Sequence, residues 1–157
     1  MNIERGKKYA LNLLGLRMYT CSEVYERLIR KGAEKEDAEE IIGWLMSLGY
    51  LDDKKYAEYY IEDAINLSNK GIYRIKQELY KKGIARSIVD EAAENTEVSV
   101  IDSLTEYVRR KYGENLELSY KEMTKLKAHL ARRGFSYGDI LECLDILEIK
   151  TGRSEEY

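Results

Sequence analysis

The chain has 157 residues, no proline, 35% charged residues and a formal net charge of −3. Without proline and with few glycines the composition favours helices throughout, and the slight negative charge excludes a uniformly basic surface, so any cationic patch must be local. No stretch approaches the roughly 18 apolar residues of a membrane span, and Met1–Lys8 lacks the apolar run of a signal peptide, so a cytoplasmic protein is expected.

Taken in order, apolar periodicity and capping signals predict helices near 3–17, 21–31, 35–48, 53–67, 70–82, 86–94, 98–112, 120–133 and 137–148. Thr20-Cys21-Ser22-Glu23 and Ser119-Tyr120-Lys121-Glu122 fit the capping box, in which a hydroxyl and a carboxylate satisfy each other's backbone N–H groups. Asp52 is placed as the N-cap of the fourth helix. The connector Gly113–Glu117 is the longest, so the third repeat is expected to differ most in its first helix. Thr151–Tyr157 reads as a flexible tail.

These nine helices fall into three copies of one unit. Leu28-Ile29-Arg30-Lys31-Gly32 recurs as Leu79-Tyr80-Lys81-Lys82-Gly83 and as Leu130-Ala131-Arg132-Arg133-Gly134, at a constant 51-residue step. Apolar type is kept at 24/75/126, at 38/89/140 and at 41/92/143, a spacing that lines one face of each helix. The fold class expected is all-α: three tandem three-helix repeats of about 51 residues forming an elongated, curved helical-repeat protein. Its repeats would span 1–50, 51–97 and 98–150, with 151–157 as the tail. The shared pentapeptide is first a helix ending. Glycine supplies the left-handed backbone that stops a helix, and cations in its last turn complement the dipole.

A second layer of the repeat is not required by a core. Arg74, Lys76, Lys81 and Lys82 reappear as Lys125, Lys127, Arg132 and Arg133, and Lys70 as Lys121, whereas the first repeat shares only the last two positions. Residues 70–86 hold six basic side chains against the single acid Glu78. Exposed helix faces are commonly charged, so a solvated stripe accounts for either set alone. Two in register mark Arg74, Lys76, Lys81, Lys82, Lys125, Lys127, Arg132 and Arg133 as candidates to bind phosphates or an acidic protein surface. Fourteen tyrosines against one phenylalanine suit small cores closed by a hydroxylated ring, or an interface.

Catalytic signatures are missing: there is no phosphate-binding glycine loop, no Cys-x-x-Cys and no His-Glu-x-x-His. His129 is the only histidine and reads as a boundary residue. Cys21 and Cys143 read as reduced core thiols, and Asp52-Asp53 as helix caps rather than a metal site. No enzyme, metal or cofactor is expected.

Arg17-x-x-Thr20-x-x-Glu23-Val24 with Leu28 and Lys31-Gly32 resembles the opening run of the RecX regulatory proteins. Tyr50-Leu51-Asp52-Asp53 with Tyr56-Ala57, then Lys70-Gly71, Arg74-Ile75, Glu78-Leu79 and Lys82-Gly83-Ile84, resemble that family's next two segments. Arg133-Gly134-Phe135 resembles its last. The resemblance covers roughly residues 10–147, and departs at Glu62-Asp63, where members commonly carry a basic residue. It implies a non-catalytic bacterial modulator of RecA, active in recombination, DNA repair and the SOS response. Such a protein lies in the groove of the RecA filament on single-stranded DNA and inhibits its ATPase, strand-exchange and coprotease activities. The partners implied are the RecA filament and the DNA within it, with the protein itself a monomer. A sequence-tolerant DNA-binding protein of helix-turn-helix-like repeats, or a helical scaffold for another protein, are the competing readings.

Overall fold

The computed structural model describes residues 1–152. Among them are nine α-helices: α1 Ile3–Leu14, α2 Cys21–Arg30, α3 Lys35–Ser47, α4 Asp53–Ser68, α5 Ile72–Lys81, α6 Arg86–Asn95, α7 Val100–Lys111, α8 Tyr120–Arg132 and α9 Tyr137–Ile146. Two short strands, β1 Glu117–Leu118 and β2 Lys150–Thr151, pair in parallel.

The helix starts follow from side chains that answer the orphan N–H groups of a first turn. Thr20 and Glu23 form a capping box on α2, and Ser119 and Glu122 form one on α8. Asp52 accepts the Lys55 N–H at 3.1 Å as the α4 cap, and its neighbour Asp53 accepts the Cys21 N–H at 2.9 Å at the start of α2. Both aspartates are thus used as caps. The second helix of each repeat ends in the same Schellman geometry: Ala33, Ile84 and Phe135 donate backbone N–H bonds to Leu28, Leu79 and Leu130. Gly32, Gly83 and Gly134 take φ values of 99°, 88° and 97°, as such an ending needs.

The apolar register is buried as the 51-residue step requires. Val24, Ile75 and Leu126 are all buried, as are Leu28, Leu79 and Leu130, then Ala38, Val89 and Ile140, then Ile41, Ala92 and Cys143. Compactness divides the chain into two units, Met1–Tyr59 with Glu78–Glu94, and Tyr60–Gln77 with the residues from Asn95 onward. The core of the first joins Ala10, Val24, Leu28, Ile41, Leu45 and Leu51, and that of the second joins Leu104, Val108, Leu126, Leu130, Ile140 and Leu147.

Within each unit a helix ending of one repeat closes onto a helix start of the repeat before it. In the first unit the Thr20 hydroxyl donates to the Lys82 carbonyl at 2.9 Å, the Lys82 ammonium stands 3.9 Å from Glu23, and a Cβ on Gly83 would run into Ser22. In the second the Gly71 N–H donates to the Arg133 carbonyl at 2.9 Å and the Tyr73 N–H to the Gly134 carbonyl at 3.2 Å. Thr20 and Lys82 are 62 residues apart, as are Gly71 and Arg133, so the joint itself repeats with the sequence.

Four expectations are corrected. α1 stops at Leu14, where Gly15 caps it, rather than reaching residue 17. The connector Gly113–Glu117 leads into β1, and Thr151 lies in β2 rather than in a flexible tail; residues 153–157 of that expected tail lie outside the described residues. The third repeat departs not in α7, which has 12 residues like α1, but in α8, which has 13 where α2 and α5 have 10. Cys21 is half-buried; only Cys143 is fully enclosed.

Candidate functional site

The basic register of α5 and α8 sorts itself by exposure, and the sorting repeats. Arg74 and Lys125 are exposed, as are Lys81 and Arg132, whereas Lys76 and Lys127, and Lys82 and Arg133, are half-buried. Fixed spacing on like helices gives each position the same surroundings, so eight expected site residues resolve into four pairs.

The pair Lys82 and Arg133 carries the joints. Lys82 supplies a carbonyl to Thr20 and an ammonium to Glu23. The Arg133 guanidinium donates to the carbonyls of Ser68 and Asn69, at 2.6 and 3.0 Å, and lies over the Tyr107 ring at 5.3 Å. These are the last carbonyl of α4 and that of the left-handed residue following it, and a fixed planar cation answers them well. The two exposed pairs are Arg74 with Lys125 and Lys81 with Arg132; Arg74, Lys125 and Arg132 belong to the second unit and Lys81 to the first. Lys127 points to the other flank of α8, 5.9 Å over the Tyr137 ring.

Beside Lys125 and Arg132 runs an open groove of about 870 Å³ in the third repeat. Tyr112, Leu116, Leu118, Leu126 and Ala128 make its apolar wall; Lys125 and Arg132 give it positive charge, His129 lines it, and Glu122 is its only acid. The Ser119 N–H and hydroxyl hold the Glu122 carboxyl below the usual carboxylate range, so it stays ionised. His129 Nε2 lies 2.9 Å from the Tyr107 hydroxyl, which also accepts from Lys111 at 3.3 Å. Burial, then the charges of Lys111, Arg133 and Arg132, push the His129 pKa below the ordinary imidazole value, so the ring is neutral at neutral pH. The sequence reading missed this groove. The alternation Leu116-Glu117-Leu118, which sets Leu116 and Leu118 on one face, is its trace in the sequence.

The chemistry of the remaining reactive groups is muted. The Cys21 thiol is pushed up to about 12 by burial and by the neighbouring Asp53, so it carries no thiolate at neutral pH. Among the described residues no three His, Cys, Asp or Glu side chains stand together to hold a metal ion, and no helix is long and apolar enough to cross a membrane.

Comparison with known proteins gives this arrangement a lineage. Models of the first, second and third three-helix domains of RecX match residues 7–45, 52–92 and 99–144, in that order. The chain belongs to the RecX family. The regulatory protein RecX of Lactococcus lactis subsp. lactis is 34% identical over 97% of this chain, which spans 58% of that relative. The RecX protein of Cronobacter sakazakii is 31% identical, covering 83% of this chain and 85% of its own length. A crystal structure of RecX from Lactobacillus salivarius matches with a TM-score of 0.80 at 32% identity, over 93% of this chain and 96% of that one. The 51-residue step is therefore the RecX three-helix domain, repeated three times. The chain covers only a little over half of its Lactococcus relatives' length.

Proposed function

We propose that this RecX chain is a non-catalytic cytoplasmic regulator that binds the groove of the RecA filament on single-stranded DNA and restrains its ATPase, recombinase and coprotease activities. The observation that carries the reading is the recurrence of exposed cations at one step on two successive repeats, in a protein with all three RecX domains in order. Arg74 and Lys81 on α5, and Lys125 and Arg132 on α8, are the side chains assigned to the filament. A periodic partner with anionic surface, DNA phosphate or acidic protein, matches cations presented periodically.

The test is RecA ATP hydrolysis on single-stranded DNA, titrated with this protein. Inhibition near stoichiometric ratios is expected, weakened when Lys81 and Arg132 are changed together to alanine with helical content unchanged. No inhibition by the wild-type protein at stoichiometric ratios overturns the reading.

A further inference from the structure

The joint between repeats has two chemically complete halves, and each half occurs once more on the protein surface. One half is a basic residue and glycine ending a second helix. Lys82-Gly83 and Arg133-Gly134 are both engaged in this way, and Lys82 and Arg133 are half-buried. Lys31-Gly32 has the same Schellman bonds and a φ of 99°, yet both residues are exposed and a Cβ on Gly32 would meet nothing within 4 Å. The other half is a helix start: the bare backbone of Gly71 and Tyr73 in the second unit, and a capping box in the first. In the Thr20 box the hydroxyl accepts the Glu23 N–H at 3.1 Å and still donates to the Lys82 carbonyl, while Glu23 faces the Lys82 ammonium. The Ser119 box has the same internal bonds at 3.1 Å, and Ser119 and Glu122 are exposed where Thr20 is fully buried. The Ser119 box opens the extra turn of α8, three residues ahead of the position that corresponds to Thr20 in the 51-residue register.

We propose that Lys31-Gly32 of one copy closes onto the Ser119–Glu122 capping box of a second copy, forming head to tail the joint that Lys82-Gly83 makes with Thr20–Glu23 within the chain. The Ser119 hydroxyl donates to the Lys31 carbonyl and the ionised Glu122 pairs with the Lys31 ammonium, which leaves its place over the Tyr9 ring. Glycine at position 32 admits the close approach that Gly83 makes to Ser22. The two surfaces differ, so the contact is heterologous and each copy keeps one open end after pairing. Copies adding in one direction would suit a partner that is itself periodic. The inference nevertheless stands apart from the RecA reading, because its test contains neither RecA nor DNA.

The test is sedimentation velocity at low salt from about 10 μM to about 1 mM, the range in which so small a contact associates. The wild-type chain is expected to sediment faster as concentration rises, passing beyond a dimer. Lys31→Glu alone and Glu122→Lys alone, each checked for unchanged helical content, should remain monomeric, since each opposes like charges at the joint. An equimolar mixture of the two restores opposite charges at every joint and should associate as the wild type does. A wild-type chain that stays monomeric throughout, single variants that associate normally, or a mixture that stays monomeric overturns the proposal.

Discussion

Gly71 and Gly134 meet backbone to backbone: a Cβ on Gly71 would run into the Gly134 carbonyl, whose oxygen accepts the Tyr73 N–H at 3.2 Å. Two helix termini have no side chain between them there. The N–H groups opening α5, orphaned by the geometry of any helix start, are answered by the carbonyls that end α8. The glycine that stops a helix and the glycine that admits its neighbour are both consequences of one close approach.

Glycines of this chain should therefore respond to substitution in opposite directions. Gly83→Val forces a β-branched residue into positive φ and against Ser22, and is expected to cost about 2–4 kcal/mol. Gly43 lies inside α3, exposed, with open space around its Cβ position, so Gly43→Ala should stabilise by about 0.5–1 kcal/mol. Midpoints of urea denaturation compare them directly; a stabilised Gly83→Val would remove the joint from the account of the fold.

Leu79 occupies the apolar position shared with Leu28 and Leu130 and is fully buried. Leu79→Ala should cost about 2–5 kcal/mol, from lost burial and the cavity left behind. The neighbouring exposed change Lys81→Ala should stay within about 0.5 kcal/mol of the wild type. Equal denaturation midpoints for the two variants would mean that the repeat register is misassigned.

Why helices were legible and joints were not follows from the range of the forces involved. Caps such as Thr20–Glu23 and endings such as Gly83 act over three to five residues, and the apolar register over one helix face, so both are written locally. The use of Lys82 and Arg133 is not. Their acceptors and partners lie some 60 residues away, at Thr20, Ser68 and Asn69, and a basic residue before a glycine reads the same whether it faces solvent or a neighbouring carbonyl. The strands are two residues each, too short for any periodicity to register. The groove beside Lys125 left only the Leu116-x-Leu118 alternation in the sequence for a related reason, since Tyr112 caps α7, Leu118 lies in β1 and His129 in α8.

Arg133 and Arg132 are adjacent cations with separate tasks. Arg133 holds the carbonyls of Ser68 and Asn69, so Arg133→Ala should cost about 1–2 kcal/mol of stability, the scale of hydrogen bonds made by a charged donor at a partly exposed site. Arg132→Ala should leave the melting midpoint unchanged and, under the proposed function, weaken the inhibition of RecA ATP hydrolysis. Parallel melting and ATPase titrations separate the two. If both arginines affect only the melt, Arg132 has no part in the proposed binding.

The single histidine offers a clean reading of acid sensitivity. The folded state disfavours protonated His129, through burial and then through Lys111, Arg133 and Arg132, so its pKa lies below the unfolded value near 6.5. Between those two values the unfolded chain binds more protons than the folded one, and stability must fall as the pH drops through that window and level off below it. This contribution is fully present above the unfolded value. Proton NMR should show the imidazole titrating with a midpoint below 6.5, and His129→Gln should flatten that part of the stability profile. A midpoint at or above 6.5 would show that the surrounding cations do not reach the ring.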